Sequence, residues 1–168
     1  MGKYIGIDIG GTKCAVVVGE YENESFRILS RKAFATDKNE APDSVIEKFS
    51  EIIEKEKGFK AIGISCGGPL DSRSGVVLCP PNLPAWKNVP IVEILSKRFG
   101  VPVFLQNDAN ACALAEWRLG AGKGTKNMLF LTFGTGFGLC QEHYIGSEVV
   151  FGITLQRYGS PPVPFPVP

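Results

Sequence analysis

The stretch Tyr4-Ile5-Gly6-Ile7-Asp8-Ile9-Gly10-Gly11-Thr12-Lys13 constrains the fold of this chain more than any other. Apolar residues alternate with small ones up to Asp8, two glycines follow, and Cys14-Ala15-Val16-Val17-Val18 resumes an apolar run. The pattern predicts strand, tight turn, strand. The tip of that hairpin carries unencumbered backbone N–H groups and the Thr12 hydroxyl. Glycine lets a phosphate come close to the backbone, and successive N–H groups in such a turn make an anion nest. Asp8, at the end of the first strand, is placed to hold a hydrated Mg²⁺ beside that phosphate. Two other phosphate motifs are excluded. A P-loop requires Gly-x-x-x-x-Gly-Lys-Ser/Thr and then a helix. Gly6 and Gly11 have the spacing, but Thr12-Lys13 is in reverse order and leads into a strand. The dinucleotide fingerprint Gly-x-Gly-x-x-Gly is not present. On this stretch alone, the competing reading is an ordinary glycine hairpin with Asp8 as a turn residue.

Residues 26–33 read as a third strand, so the chain opens on three antiparallel strands. Pro42-Asp43 then starts a helix with Val45, Ile46, Phe49, Ile52 and Ile53 on one face, and Gly58 suits its end. Residues 60–66 read as a short buried strand ending in Gly67-Gly68-Pro69-Leu70. In open α/β sheets ligands collect outside the carboxyl ends of strands, so this glycine stretch is either a ligand-facing loop or a plain turn. Residues 71–75 read as a hairpin turn. The proline-rich loop Cys79-Pro80-Pro81-Asn82-Leu83-Pro84-Ala85-Trp86-Lys87-Asn88 is stiff. It either holds Asn82 still for a ligand or serves as a connector with Trp86 as a hydrophobic plug. Residues 90–99 form a second amphipathic helix closed by Gly100.

A further strand, residues 101–106, runs into Asn107-Asp108-Ala109-Asn110-Ala111 and a helix. Asp108 therefore stands at a strand end and a helix start. It is either a helix cap, a role Asp and Asn both favour, or a general base aimed into the strand-end crevice with Asn107 as a hydroxyl-binding amide. The last buried strand, residues 127–133, ends in Gly134-Thr135-Gly136-Phe137-Gly138, a second glycine turn with a threonine. Two such turns in one chain point to a phosphate clamp.

Composition narrows the partners. A net charge of +1 gives no bulk attraction for nucleic acid or an anionic membrane. No apolar run reaches transmembrane length and no basic-then-apolar leader precedes the first strand, so a cytoplasmic address is expected. The five cysteines include no Cys-x-x-Cys pair and are read as buried reduced thiols. His143 is the only histidine, which leaves little material for a His-based metal site or a Ser-His-Asp triad, and no zinc site is expected.

Taken in order, Asp8-Ile9-Gly10-Gly11-Thr12-Lys13, Gly67-Gly68-Pro69, Asn82-Leu83-Pro84-Ala85-Trp86, Asn107-Asp108-Ala109-Asn110-Ala111 and Gly134-Thr135-Gly136-Phe137-Gly138 resemble the ROK family of sugar kinases and repressors. The first motif alone points only to the wider actin-like and hexokinase-like ATPases; the Asn82 and Asn107 segments make the match specific. The resemblance covers residues 1–138. It implies an α/β fold of the ribonuclease H-like, actin-like ATPase kind, with a mixed sheet, flanking helices and two lobes that hold ATP and sugar between them. It further implies ATP and Mg²⁺ as cofactors and phosphorylation of a hexose or N-acetylhexosamine hydroxyl. By the same resemblance, Gly10, Gly11, Thr12 and Lys13 line a first phosphate loop with Asp8 on the Mg²⁺ through water, and Gly134, Thr135 and Gly136 line a second. Gly68, Pro69, Asn82, Asn107 and Asp108 face the sugar, and Asp108 takes the proton from the attacking hydroxyl. The alternative is a non-enzymatic sugar-binding protein or a fragment of a ROK-type regulator. The seven residues before Asp8 are too few for the helix-turn-helix of such a regulator, which favours the kinase.

After Gly138 the sequence departs from the family pattern. A Gly-Glu…Gly-His segment is expected and Leu139-Cys140-Gln141-Glu142-His143-Tyr144 stands in its place, so no sugar or zinc role is carried onto His143. Five of the last eight residues are proline, which excludes an interior helix or central strand. Residues 139–168 are expected to be an atypical proline-rich tail, and the chain a truncated or frame-shifted N-terminal lobe. Such a lobe is expected to be inactive alone, with any homo-oligomer contact lying in the absent lobe.

Overall fold

The computed structural model describes residues 2–133, 137–145 and 148–156, with side chains described as far as Leu131. The opening hairpin is β1 (Gly2–Ile9) and β2 (Lys13–Glu22), and β3 (Ser25–Ala35) follows. Next come α1 (Pro42–Ile53), β4 (Phe59–Cys66), the short pair β5 (Leu70–Asp71) and β6 (Val76–Val77), α2 (Ile91–Phe99) and β7 (Val103–Asn107). The chain continues as α3 (Asp108–Leu119), β8 (Asn127–Phe133), β9 (Phe137–Ile145) and β10 (Glu148–Gln156). The chain divides into two compact units, residues 1–111 and 112–168.

In the first unit a five-stranded sheet has the order β3-β2-β1-β4-β7. β1, β2 and β3 pair antiparallel, while β4 runs parallel to β1 and β7 parallel to β4. This is the mixed sheet with an antiparallel opening that the sequence predicts. Alternation decides which side is core. Ile5, Ile7 and Ile9 of β1, Cys14, Val16 and Val18 of β2, Ile62 and Ile64 of β4 and Leu105 of β7 are buried together. Against them lie Val45, Ile46, Phe49 and Ile53 of α1 and Ile91 and Leu95 of α2. Phe49 also meets Phe34 of β3 at a ring separation of 5.3 Å. Pro42 opens α1, and α2 stops at Gly100, whose φ of 65° a side chain would disfavour.

Four expectations need correction. β8 is not a buried strand, since Leu129 and Leu131 are exposed. β4 is half-buried rather than buried on both sides, because Ala61 and Gly63 occupy its other face and small residues read as apolar without being covered. β3 runs two residues further than expected, to Ala35. Of the cysteines, Cys14 and Cys66 are buried but Cys79 and Cys112 are exposed, and none of the four is in a disulfide. The side chains of Cys140 and His143 lie outside the described residues.

The proline-rich loop resolves into a plug and a display. Leu83 and Trp86 are 3% and 1% exposed, and the Trp86 N–H donates to the Leu83 carbonyl at 2.9 Å. Asn82, one residue earlier, remains exposed. Trp86 is therefore the hydrophobic plug, and it anchors the loop that presents Asn82.

In the second unit Trp117 Nε1 donates to the Thr125 carbonyl at 2.9 Å. β8, β9 and β10 form an antiparallel sheet in the order β10-β9-β8. Residues 157–168 lie outside those described. Among the described residues no helix is long and apolar enough to cross a membrane.

Candidate active site

Because β1, β4 and β7 run parallel, their carboxyl ends share one edge of the sheet. Register puts Asp8 beside Ser65 and Ser65 beside Gln106, and in the next row Ile9 beside Cys66 and Cys66 beside Asn107. From these rows the chain leaves as three turns: residues 10–13 after β1, residues 67–69 after β4, and Asp108 at the start of α3. Asp8, Gly10, Gly11, Thr12, Lys13, Gly68, Pro69, Asn107 and Asp108 are thus gathered at one edge.

Close approaches tie the turns together. A methyl group at Gly11 would fall 2.5 Å from Asn82 Cβ, so only glycine lets the proline-rich loop lie against the first turn. One at Gly10 would fall 2.7 Å from the Lys13 carbonyl oxygen. A methyl at Gly67 would be 3.9 Å from Asp108 Oδ2, and one at Gly68 would be 3.6 Å from Asn107 Nδ2. Thr12, Lys13, Asn82 and Asp108 are exposed, whereas Asn107 is buried. Gly134, Thr135 and Gly136 lie outside the described residues.

The start of α3 separates capping from chemistry. Asn107 Oδ1 accepts the Ala109 N–H at 3.0 Å, the bond a helix cap makes, which leaves its Nδ2 as a donor turned toward Gly68. Asp108 Oδ1 accepts the same N–H at 2.8 Å, and Oδ2 faces Gly67. Behind them Gln106 Oε1 accepts both the Asn107 N–H at 2.8 Å and Asn110 Nδ2 at 3.1 Å. Asn110 is 3% exposed, and its Oδ1 has no partner among the described residues.

Two carboxylates, Asp8 and Asp108, stand at this edge. Although Asp8 is on the open face, loss of surrounding water pushes its pKa above 3.8. The Arg31 guanidinium opposes that rise and the Asp108 carboxylate adds to it. Burial, aided by the charges of Asp108, Cys14 and Asp8, pushes the Cys66 thiol up to about 12. Cys66 is therefore not a nucleophile at neutral pH. The Asp8 shift carries a stability consequence. A group that holds its proton more tightly when folded contributes stability that is full below the unfolded pKa and lost as pH rises through the folded one. The Asp8→Asn variant is accordingly expected to be more stable than the native chain at pH 7, with the difference vanishing below pH 3.8. Urea unfolding at the two pH values checks this, and a difference independent of pH would contradict it.

The arrangement suits a magnesium–polyphosphate. No group of three or more His, Cys, Asp or Glu able to hold a metal occurs among the described residues. Mg²⁺ does not require one: it keeps several waters and takes one or two carboxylates plus phosphate oxygens, which matches Asp8 beside a glycine turn. The N–H groups of Gly11 and Thr12, moreover, have no hydrogen-bond partner among the described residues.

Thr36, Ser65 and Gln106 are the site neighbours that the motifs do not reveal, whereas Asn110 stands inside the Asn107–Ala111 motif without an assigned role. Ser65 and Gln106 carried a usable signal, since each is a polar residue closing an apolar strand. Thr36 carried one as well, in the alternation of Ala33-Phe34-Ala35 that prolongs β3.

A model described as the ROK family matches residues 4–147. The glucokinase of Thermotoga maritima is 40% identical over 139 residues, an overlap of 81% of this chain and 43% of that one. The crystal structure of a ROK family glucokinase from Streptomyces griseus in complex with glucose and AMPPNP superposes with a TM-score of 0.72 at 34% identity, covering 92% of this chain and 49% of that one. Regulators match too: the xylose repressor of Caldicellulosiruptor bescii is 31% identical over 143 residues, 82% of this chain and 36% of that one. The chain spans less than half the length of the curated relatives it matches.

Proposed function

The chain belongs to the ROK family, and from that premise we propose that the protein phosphorylates a hydroxyl of a hexose or N-acetylhexosamine with ATP, residues 1–138 being the N-terminal lobe of the enzyme. The observation that carries the reading is the meeting of an Asp-led glycine turn and the Asp108 carboxylate at one strand-end edge, where β1, β4 and β7 end side by side. Relatives of this sequence are sugar kinases by name, and the neighbour from Streptomyces griseus holds glucose and an ATP analogue.

Each residue has a role that its geometry allows. Asn107 donates from Nδ2 to a sugar oxygen because its Oδ1 is spent on the helix cap. Asn82, on the loop stiffened by Trp86, and the backbone of Gly68 and Pro69 orient the same sugar. Asp108 accepts the proton of the attacking hydroxyl through Oδ2, since Oδ1 is held by Ala109. The N–H groups of Gly11 and Thr12, with Lys13 beside them, receive phosphate oxygens of ATP. Gly134, Thr135 and Gly136 are the proposed second phosphate turn. Mg²⁺ near Asp8, bound through water, would neutralise charge developing on the phosphates. Phosphoryl transfer depends chiefly on such positioning and charge neutralisation.

On this reading the residues of the first unit suffice to contact the sugar. In the complete gene product, sugar-dependent ADP release with formation of the sugar phosphate supports the kinase. Saturable sugar binding without ADP release would instead favour a non-enzymatic sensor, the second reading, which the match to a xylose repressor motivates.

A further inference from the structure

The first glycine turn has a built rear wall. Register places Lys13 opposite Ala35, which brings Thr36 alongside Thr12. Thr36 Oγ1 donates to the Gly10 carbonyl at 2.7 Å, and the Thr36 N–H donates to the Thr12 carbonyl at 3.0 Å. On the buried side Cys14 Sγ lies 3.3 Å from Thr36 Oγ1. Cys14 Sγ also lies 3.9 Å from the Gly10 carbonyl oxygen, so the thiol and the hydroxyl both back that carbonyl. Burial raises the Cys14 pKa, which keeps the thiol protonated at neutral pH. The turn closes on itself where the Gly10 N–H meets the Lys13 carbonyl at 3.1 Å.

A planar trans peptide points its C=O and the following N–H in opposite directions. Pinning the Gly10 carbonyl back toward β3 therefore turns the Gly11 N–H forward, and pinning the Thr12 carbonyl fixes the far end of the turn. We propose that Thr36 is the positioning residue of the phosphate turn: by holding the Gly10 carbonyl, and with it the Gly10–Gly11 peptide plane, against β3 it aims the Gly11 N–H at a polyphosphate, while its own N–H anchors the Thr12 carbonyl at the end of the turn. The proposal rests on reading residues 10–13 as a phosphate turn.

Two variants of the 168-residue chain test it. Thr36→Val removes the hydroxyl and keeps the N–H and the branched shape; Thr36→Ser keeps the hydroxyl. The probe is Mg²⁺ with inorganic tripolyphosphate, followed through the Gly11 and Thr12 amide resonances. Loss of one well-placed hydrogen bond predicts about a tenfold weaker affinity in Thr36→Val, with Thr36→Ser close to the native chain. Before any ligand is added, the Gly11 amide resonance should already be displaced in Thr36→Val and unmoved in Thr36→Ser, with the amides of α2 unchanged in both. Native-like affinity and an unmoved Gly11 resonance in Thr36→Val would overturn the proposal. So would equal losses in both variants that merely follow a fall in Tm. If the native chain binds no tripolyphosphate while the ligand-free resonances behave as expected, the brace stands and the phosphate reading of the turn fails.

Discussion

Replacing Asp108 with Asn in the complete gene product is expected to lower kcat by about 10²- to 10⁴-fold, the usual contribution of a positioned general base. Asn matches Asp in size, and its Oδ1 can still accept the Ala109 N–H, so the start of α3 should survive. The cap itself belongs to Asn107. What the variant loses is basicity at the atom that faces Gly67. Sugar affinity should change little, because Asn107 Nδ2, Asn82 and the backbone of residues 68–69 are untouched. Steady-state kinetics together with sugar-binding calorimetry separate the two effects. A variant with near-native kcat would remove Asp108 from the role of base.

Trp86→Ala is expected to have the largest effect on stability. The indole is 1% exposed and belongs to the same core as β1, β4, α1 and α2. Deleting a buried aromatic of this size costs about 3–5 kcal/mol, from a total of roughly 5–15 kcal/mol for a domain. The corresponding fall in Tm is on the order of 10 °C. The cost has a functional side, since Trp86 anchors the loop whose Asn82 lies against Gly11. Weaker sugar binding should therefore accompany the lower Tm, with Trp86→Phe intermediate in both. Thermal unfolding read beside sugar calorimetry checks this; a Tm within about 2 °C of native would show that the loop is held by something else.

Much of this was legible because it is local. The strand–turn–strand of residues 4–18 follows from alternation and two glycines, the helices from spacing and their end signals, and the strand-end position of Asp108 from an apolar run meeting a polar quartet. Reading the same polar quartet could not divide labour between neighbours. Both Asn107 and Asp108 accept the Ala109 N–H, and it is the start of α3 at Asp108 that leaves Asn107 in the cap position. Contacts between distant turns were equally hidden. Gly11 and Asn82 are far apart in sequence, and nothing near either predicts that they touch. Thr36 was passed over for a different reason: with β3 ended at residue 33 it looked like loop, whereas two more residues of pairing set it beside Thr12. Apolar character also misled at β4, where Ala61 and Gly63 resembled buried residues because they are small.

The most direct test of the account is the ¹H–¹⁵N spectrum of the 168-residue chain as glucose, mannose, fructose, allose and N-acetylmannosamine are added in turn, followed by Mg²⁺ with tripolyphosphate. One of the sugars is predicted to give saturable shifts centred on Gly68, Asn82, Asn107 and Asp108, and the polyphosphate to move residues 10–13 in the same molecules. Saturating shifts elsewhere on the chain, or sugar and phosphate responses that fail to adjoin, would contradict the claim that this strand-end edge is where sugar and phosphate meet.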